Sequence, residues 1–261
     1  MNQKDILLDV TDGIATVTFN RPEKRNPMGL TFSATFNSVL DRVEADRDVR
    51  CVILTGAGRT FCGGGDLREI MSPGPTDMEA ELALVRGYNM IAKRLYYFDL
   101  PVIAAVNGPA VGGGAGIALA CDFAIASTTA SYDLFFHRLG LSGADVGVPW
   151  LLTRAIGAPM ANYYLLTAGS IDATAGQRLG LFAEVADPAE VMAAARAAAE
   201  RVVSASDRSV RISKVALRHG SEMQFAANLE VEAYMQSYAF RTPEHKQRIG
   251  EYRDRLGKKG S

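Results

Sequence analysis

The apolar positions of this chain change period several times, and each change marks a new element. Ile6 to Val10 and Ile14 to Phe19 flank Thr11-Asp12-Gly13, which predicts a β-hairpin. Phe32, Phe36, Val39, Leu40 and Val43 return at helical spacing, so Leu30 to Ala45 reads as an amphipathic helix. Val49 to Thr55 is largely apolar and predicts a strand buried on both faces. Ser72 to Met78, with two prolines and a glycine, reads as a mobile loop before a second amphipathic helix carrying Leu82, Val85, Ile91 and Leu95. Pro101 to Val106 predicts a further strand. From about residue 145 the pattern becomes nearly all helical, clearest over Pro188 to Ala205, where Val191, Ala194, Ala198 and Val202 share a face. Asp187 as N-cap, Pro188 at the first helical position and Glu190 mark its start. Phe225 to Leu256 alternates charged and apolar positions, as expected of a helical appendix that packs on a neighbour.

Two glycine-rich stretches, Phe61-Cys62-Gly63-Gly64-Gly65-Asp66-Leu67 and Asn107 to Gly116, each follow an apolar β-type run. The two strand-turn-helix units lie about fifty residues apart and repeat in geometry rather than in side-chain identity. Residues without side chains let a ligand approach the main chain, and a helix that begins at such a turn presents unpaired N–H groups and the positive end of its dipole. Two such groups converging on one oxygen would hold an oxyanion.

Composition narrows the classes. A chain of 261 residues with 48% hydrophobic residues can bury a large core. Lysine and arginine total 28 against 29 acids, which leaves no basic surplus for a nucleic-acid partner. The basic tail residues, Arg241 to Lys259, are interleaved with Glu244, Glu251 and Asp254 and read as a solvated helix face. Cys51, Cys62 and Cys121 have neither metal nor redox spacing and read as buried small hydrophobes, so no metal is expected. The first residues lack the pattern of a signal peptide, and no apolar run reaches the ~18 residues of a membrane span. The expectation is a cytoplasmic protein with no membrane partner.

Asn20-Arg21-Pro22-Glu23-Lys24-Arg25-Asn26, Val52 to Gly56 with Phe61 to Leu67, Pro101 to Gly114, Cys121-Asp122 and Tyr163 to Gly169 together resemble the crotonase superfamily, the enoyl-CoA hydratase/isomerase fold. As a set in this order they are specific; one glycine run alone would be weak. The resemblance implies an α/β fold, a spiral of β-β-α units over residues 1–200, and a helical C-terminal region, residues 201–261, that builds a homotrimer or a dimer of trimers. It implies an acyl-CoA substrate, with coenzyme A as part of the thioester and no separate cofactor. By position, the N–H groups of Gly65 and Gly113 would form the oxyanion hole. Lys24 and Arg25 would meet the CoA phosphates, and the backbone from Gly63 and Gly64 through Asp66 and Leu67 would line the adenine and pantetheine track.

The chain departs from the family where ordinary hydratases carry two glutamates, since those positions here are Gly116 and Phe136. Neither moves a proton, so two-carboxylate hydration is not supported. Asp145 is the first substitute, at a place where dienoyl-CoA isomerases carry an aspartate before Val-Gly; it reads equally as an N-cap for a helix over Val146 to Ala155. His137 is the second, although alternation along a strand would turn it away from Phe136, and Asp133 ranks lower. His219 and His245 read as surface or interface residues. Phe135, Phe136 and Trp150 would favour an apolar, bulky or ring-bearing acyl group. The leading reading is a thioester enolate held by Gly65 and Gly113 with Asp145 moving the proton, in isomerisation or an atypical hydration. The alternatives are hydrolysis of a β-diketone or thioester by His137 and Asp145, and a non-catalytic acyl-CoA binder.

Overall fold

The computed structural model describes residues 5–71, 77–220 and 222–259. The chain divides into two compact units, residues 1–200 and 201–261. The first opens with the hairpin β1 (Ile6–Thr11) and β2 (Ile14–Phe19), paired from Ile6 with Phe19 to Thr11 with Ile14. Its two-residue turn has positive φ at both Asp12 and Gly13, the twist that matches paired strands. There follow α1 (Phe32–Ala45), β3 (Cys51–Gly56), α2 (Leu67–Met71), α3 (Met78–Tyr96), β4 (Val102–Val106), β5 (Ala110–Val111) and α4 (Gly113–Ala120). Then come β6 (Phe123–Ser127), β7 (Ser131–Asp133), α5 (Val148–Ile156), α6 (Ala158–Leu166), β8 (Ser170–Asp172), α7 (Ala173–Arg178), β9 (Glu184–Ala186) and α8 (Val191–Ser204).

The strands form a six-stranded sheet in the order β1-β2-β3-β4-β6-β9, parallel from β2 onward, and a three-stranded sheet β5-β7-β8. Strands β3 and β4 are buried at every position, which is why they read as unbroken apolar runs. All five apolar residues that define α1 in the sequence are its buried face. Both glycine-rich stretches lie beyond the C-terminal ends of these two central strands, the edge of a parallel sheet where ligands bind.

Several expectations are corrected. The region after residue 145 is not nearly all helical, because the three-residue strands β8 and β9 pair with β7 and β6; pairing partners far away in sequence impose strands too short to show a period. The buried face of α3 is Tyr88, Ile91, Ala92, Leu95 and Tyr96, whereas Leu82 and Val85 are exposed. Helix α8 starts at Val191, and the Asp187 carbonyl accepts the N–H groups of Glu190 and Val191 in a turn ahead of it. The expected loop over Ser72 to Met78 falls mainly outside the described residues; Asp77 caps α3 by accepting from the Ala80 N–H. Cys51, Cys62 and Cys121 are buried and form no disulfide among the described residues.

The second unit holds α9 (Asp207–Gly220), α10 (Phe225–Phe240) and α11 (Pro243–Lys259). Arg208 donates to the Tyr238 hydroxyl at 2.8 Å, and Ser206 bonds Glu244. Helix α10 has no buried residue, and Phe225 and Tyr234 are each 77% exposed. No helix among the described residues is long and apolar enough to cross a membrane.

Candidate active site

The first glycine run rests on aromatic packing. Phe61, at its start, is fully buried with its ring edge-on to Phe19 at 5.6 Å, and Phe19 packs on Phe32 and Phe36. Asn26 fastens the basic loop beside it: its side chain donates to the carbonyls of Ala57 and Thr60 and accepts from the Arg21 N–H. The Gly63 N–H donates to the Arg25 carbonyl at 2.8 Å, which joins that loop to the run. Met28 then pairs with Gly65 as an isolated parallel bridge, donating to the Gly64 carbonyl and accepting from the Asp66 N–H, both at 2.7 Å. This pattern leaves the Gly65 N–H outside the pairing, and it donates to no group among the described residues.

The second run turns sharply at Gly112, whose N–H donates to the Asp133 carbonyl at 2.8 Å, and α4 begins at Gly113. The Gly113 N–H is one of the orphan donors of a helix start and likewise has no acceptor among the described residues. A Cβ at Gly113 would meet the Met28 Cε at 2.6 Å, the Val146 Cγ2 at 2.8 Å and the Asp145 Oδ2 at 3.2 Å. Met28 therefore touches both glycines, Gly65 through its backbone and Gly113 through the end of its side chain. A Cβ at Gly114 would stand 2.6 Å from the Cys62 carbonyl oxygen, so the two runs are in direct contact.

The Asp145 carboxylate thus lies against the start of α4. It is half-buried, and burial raises its pKa above the ordinary carboxylate range, opposed by the neighbouring Val146 N–H. That N–H donates to the Asn89 Oδ1 at 3.0 Å. Asp145 is not the cap of α5: the cap residue is Gly147, there is no side-chain capping bond, and the helix starts two residues later than expected. What the Asp145 backbone contributes is its carbonyl, which accepts the Val148 N–H. Gly116, where the resemblance would place a glutamate, is buried under the same loop; a Cβ there would meet the Val146 carbonyl oxygen at 2.5 Å.

Two cavities flank these groups. A cleft of about 750 Å³ is lined by Lys24, Arg25, Gly63, Gly65, Asp66 and Leu67, as well as by Arg59, Arg68, Asp133 and Phe135. Gly64 is buried, with φ of +80° and the Val111 carbonyl oxygen 2.7 Å from where a Cβ would stand. The buried Asp66 side chain turns back toward Arg21, 3.3 Å away. The second cavity, about 450 Å³, is lined by Asn89, Ala92, Lys93, Tyr96, Tyr97, Asp145 and Trp150, among others. Tyr96 and Trp150 meet edge to face at 5.2 Å, and the Arg154 guanidinium covers the Trp150 ring at 4.3 Å.

The expected trio of acyl-pocket aromatics does not converge. Trp150 lines the smaller cavity and Phe135 the larger, whereas Phe136 is buried and packs over Gly112. Tyr96 and Tyr97 line the smaller cavity together with Trp150. Asn89, Ala92, Lys93 and Tyr96 are spaced i, i+3, i+4 and i+7, so they form one stripe of α3; the signal was present, but that helix reads in sequence by its core face. Arg59 and Arg68 were likewise missed as isolated charges. His137 belongs to a 3₁₀ turn over Phe135–Leu139 rather than to a strand; it is exposed and lines neither cavity. His219 is exposed, and His245 packs on Phe240. The Cys62 thiol is pushed up to about 12 by burial and is no nucleophile at neutral pH.

A parallel sheet ending in two glycine turns, backed by a helix start and a carboxylate, defines a protein of the crotonase fold. The chain belongs to the enoyl-CoA hydratase/isomerase family, whose model matches residues 9–259. It is 38% identical over 223 residues to an (E)-benzylidenesuccinyl-CoA hydratase from Thauera aromatica, covering 84% of each chain. It is 32% identical over 249 residues to a 1,2-epoxyphenylacetyl-CoA isomerase from Escherichia coli, covering 95% of this chain and 94% of the relative. A crystal structure of a putative enoyl-CoA hydratase from Streptomyces coelicolor superposes with a TM-score of 0.92 at 30% identity, covering 97% of this chain and 93% of that one.

Proposed function

We propose that this chain is an acyl-CoA enzyme in which the N–H groups of Gly65 and Gly113 hold the thioester carbonyl and Asp145 moves a proton on the acyl group. The observation that carries the reading is the Asp145 Oδ2 standing 3.2 Å from the Cβ position of Gly113, beside an amide with no protein acceptor among the described residues. An enolate oxygen is stabilised by two such donors, each worth roughly 3–4 kcal/mol when removed. Coenzyme A extends along the larger cleft, where Lys24, Arg25, Arg59 and Arg68 supply charge for its phosphates. The acyl group enters the smaller cavity. A single carboxylate that takes a proton from one carbon and returns it to another performs a double-bond shift, and the same base activates water in a hydration.

The aromatic walls at Tyr96, Tyr97 and Trp150 favour a ring-bearing acyl group, since edge-to-face ring pairs add about 0.5–1.5 kcal/mol beyond burial. Two relatives carry names built on phenyl-bearing acyl-CoA thioesters, which supports this choice. Self-association as a trimer is part of the same reading, supported by the exposed Phe225, Tyr234 and Leu217 in the second unit.

Asp145→Asn tests the mechanism with styrylacetyl-CoA, whose double bond lies beyond the α-carbon. The expected outcome is a loss in kcat of about 10²–10⁴-fold with acyl-CoA binding retained. In the wild type, kcat falls as pH drops through a value above the ordinary aspartate pKa of about 3.9, because the burial-raised carboxyl must be ionised to act. The same shift makes the charged form costly in the folded state. Asp145→Asn therefore melts higher than wild type at neutral pH, and the gap closes as acid protonates the wild-type carboxyl. Unchanged turnover in the variant removes Asp145 from the mechanism.

A further inference from the structure

Val146 is a β-branched residue with φ of +45°, a conformation such side chains rarely adopt, and it is completely buried. It directly follows Asp145, and its side chain and carbonyl oxygen press on Gly113 and Gly116. Its N–H donates to the Asn89 Oδ1 at 3.0 Å, fifty-seven residues away on α3, and also lowers the pKa of the adjacent Asp145 carboxylate. The acceptor identity also orients the amide, because only the oxygen end of Asn89 can face an N–H. The preceding residue, Tyr88, is buried and donates through its hydroxyl to the carbonyls of Met28 and Gly29 at 3.1 and 3.0 Å. Adjacent residues of α3 therefore tie down the two strands of chain that meet at Gly113: Tyr88 holds the Met28 segment, and Asn89 holds the segment bearing Asp145.

We infer that Asn89 is the positioning residue of the site, fixing the strained Val146 peptide and with it the direction of the Asp145 carboxylate. The inference rests on the reading of Asp145 as the proton-moving group. Burial alone would leave a short exposed-to-cavity loop free to trade φ values between Val146 and the adjacent Gly147, which also has positive φ. Such a rotation carries the carboxylate away from Gly113. The hydrogen bond from the Val146 N–H, in the peptide that joins Asp145 to Val146, to a side chain on a separate helix prevents it. The other titratable or charged groups lining the cavity with Asp145 are Lys93, Tyr96 and Tyr97. Burial, with the Asp145 charge adding to it, holds the Tyr88 hydroxyl above its ordinary pKa, so it stays a neutral donor.

The test uses the intact protein with styrylacetyl-CoA and reads kcat, KM, the pH profile and thermal stability for Asn89→Leu, Asn89→Asp and Asp145→Asn. Asn89→Leu removes the acceptor, and the expected result is a fall in kcat of about 10²-fold, the scale of a misplacement near 1 Å, with KM changed less than about threefold. Asn89→Asp keeps an acceptor for the Val146 N–H and adds a negative charge beside Asp145. Its kcat recovers to within about threefold of wild type at high pH, and its acid limb moves to higher pH, because a like charge raises the Asp145 pKa further. A purely structural bond would lower the melting temperature of Asn89→Leu without this kinetic split or its rescue. Should Asn89→Leu be unstable, Asn89→Ala removes the same acceptor and is read for the same fall in kcat with KM little changed. Wild-type kcat in Asn89→Leu, or no shift and no rescue in Asn89→Asp, overturns the inference. Those results with an inactive Asp145→Asn end it alone, whereas an active Asp145→Asn ends the underlying reading as well.

Discussion

Gly116 is where the family resemblance would place a glutamate, and the fold leaves no room there for a side chain. Its hydrogen leaves room for the Val146 carbonyl and side chain, which come within 2.5–3.0 Å of where a Cβ would stand. The loop that brings Asp145 to Gly113 occupies the space a side chain at 116 would need, so the two arrangements exclude each other. Gly116→Ala is therefore expected to destabilise the fold by about 1–3 kcal/mol, the range for overpacking a tight core, read as a lower denaturant midpoint. It should also reduce kcat by displacing Asp145, and Gly116→Glu should fail to restore a hydratase carboxylate. An unchanged midpoint in Gly116→Ala would show that the loop yields freely. The sequence displays the glycine and the aspartate, but their mutual exclusion is a contact between residues thirty apart and has no local signature.

At the scale of elements, α3 does more than its apolar pattern announces. One face packs the core through Tyr88, Ile91 and Leu95; the next stripe, Asn89, Lys93 and Tyr96, faces a cavity. Core faces were legible because burial selects apolar residues at a helical period, as in α1 and β3. A cavity-lining stripe mixes an amide, a cation and an aromatic ring, and so shows no period. The segment after β7 closes into a 3₁₀ turn over Phe135 to Leu139 rather than a strand, yet it keeps the expected opposition, with Phe136 inside and His137 exposed. The glycine runs were legible, since a run of small residues after an apolar strand has few other uses. If the stripe and Trp150 form the acyl wall, Trp150→Ala and Tyr96→Ala should each raise KM for styrylacetyl-CoA about 5–30-fold, as expected for losing about 1–2 kcal/mol of ring contact. KM for crotonyl-CoA should change far less. Equal effects on both thioesters would place the aryl group elsewhere.

For the whole molecule, the division at residue 200 separates a chemical unit from one rich in exposed aromatic side chains. Tyr234 and Phe225 are 77% exposed and Leu217 is 78% exposed, and the proposed trimer would cover them. Light scattering after size-exclusion chromatography should give three times the 28.0 kDa chain mass, or six times for paired trimers. A stable monomer would contradict the proposed assembly. The alternation of charged and apolar positions that flags this region in the sequence says that it is helical but not which faces meet. Within the first unit, Met28 spans both glycine turns. Its main chain lies alongside one glycine turn and its methyl tip abuts the other, so a single flexible side chain acts as a spacer between two rigid backbones. In the proposed mechanism the gap offered to the substrate oxygen is then gauged before anything binds, and a change in the length of one thioether could recalibrate it while both turns stay as they are.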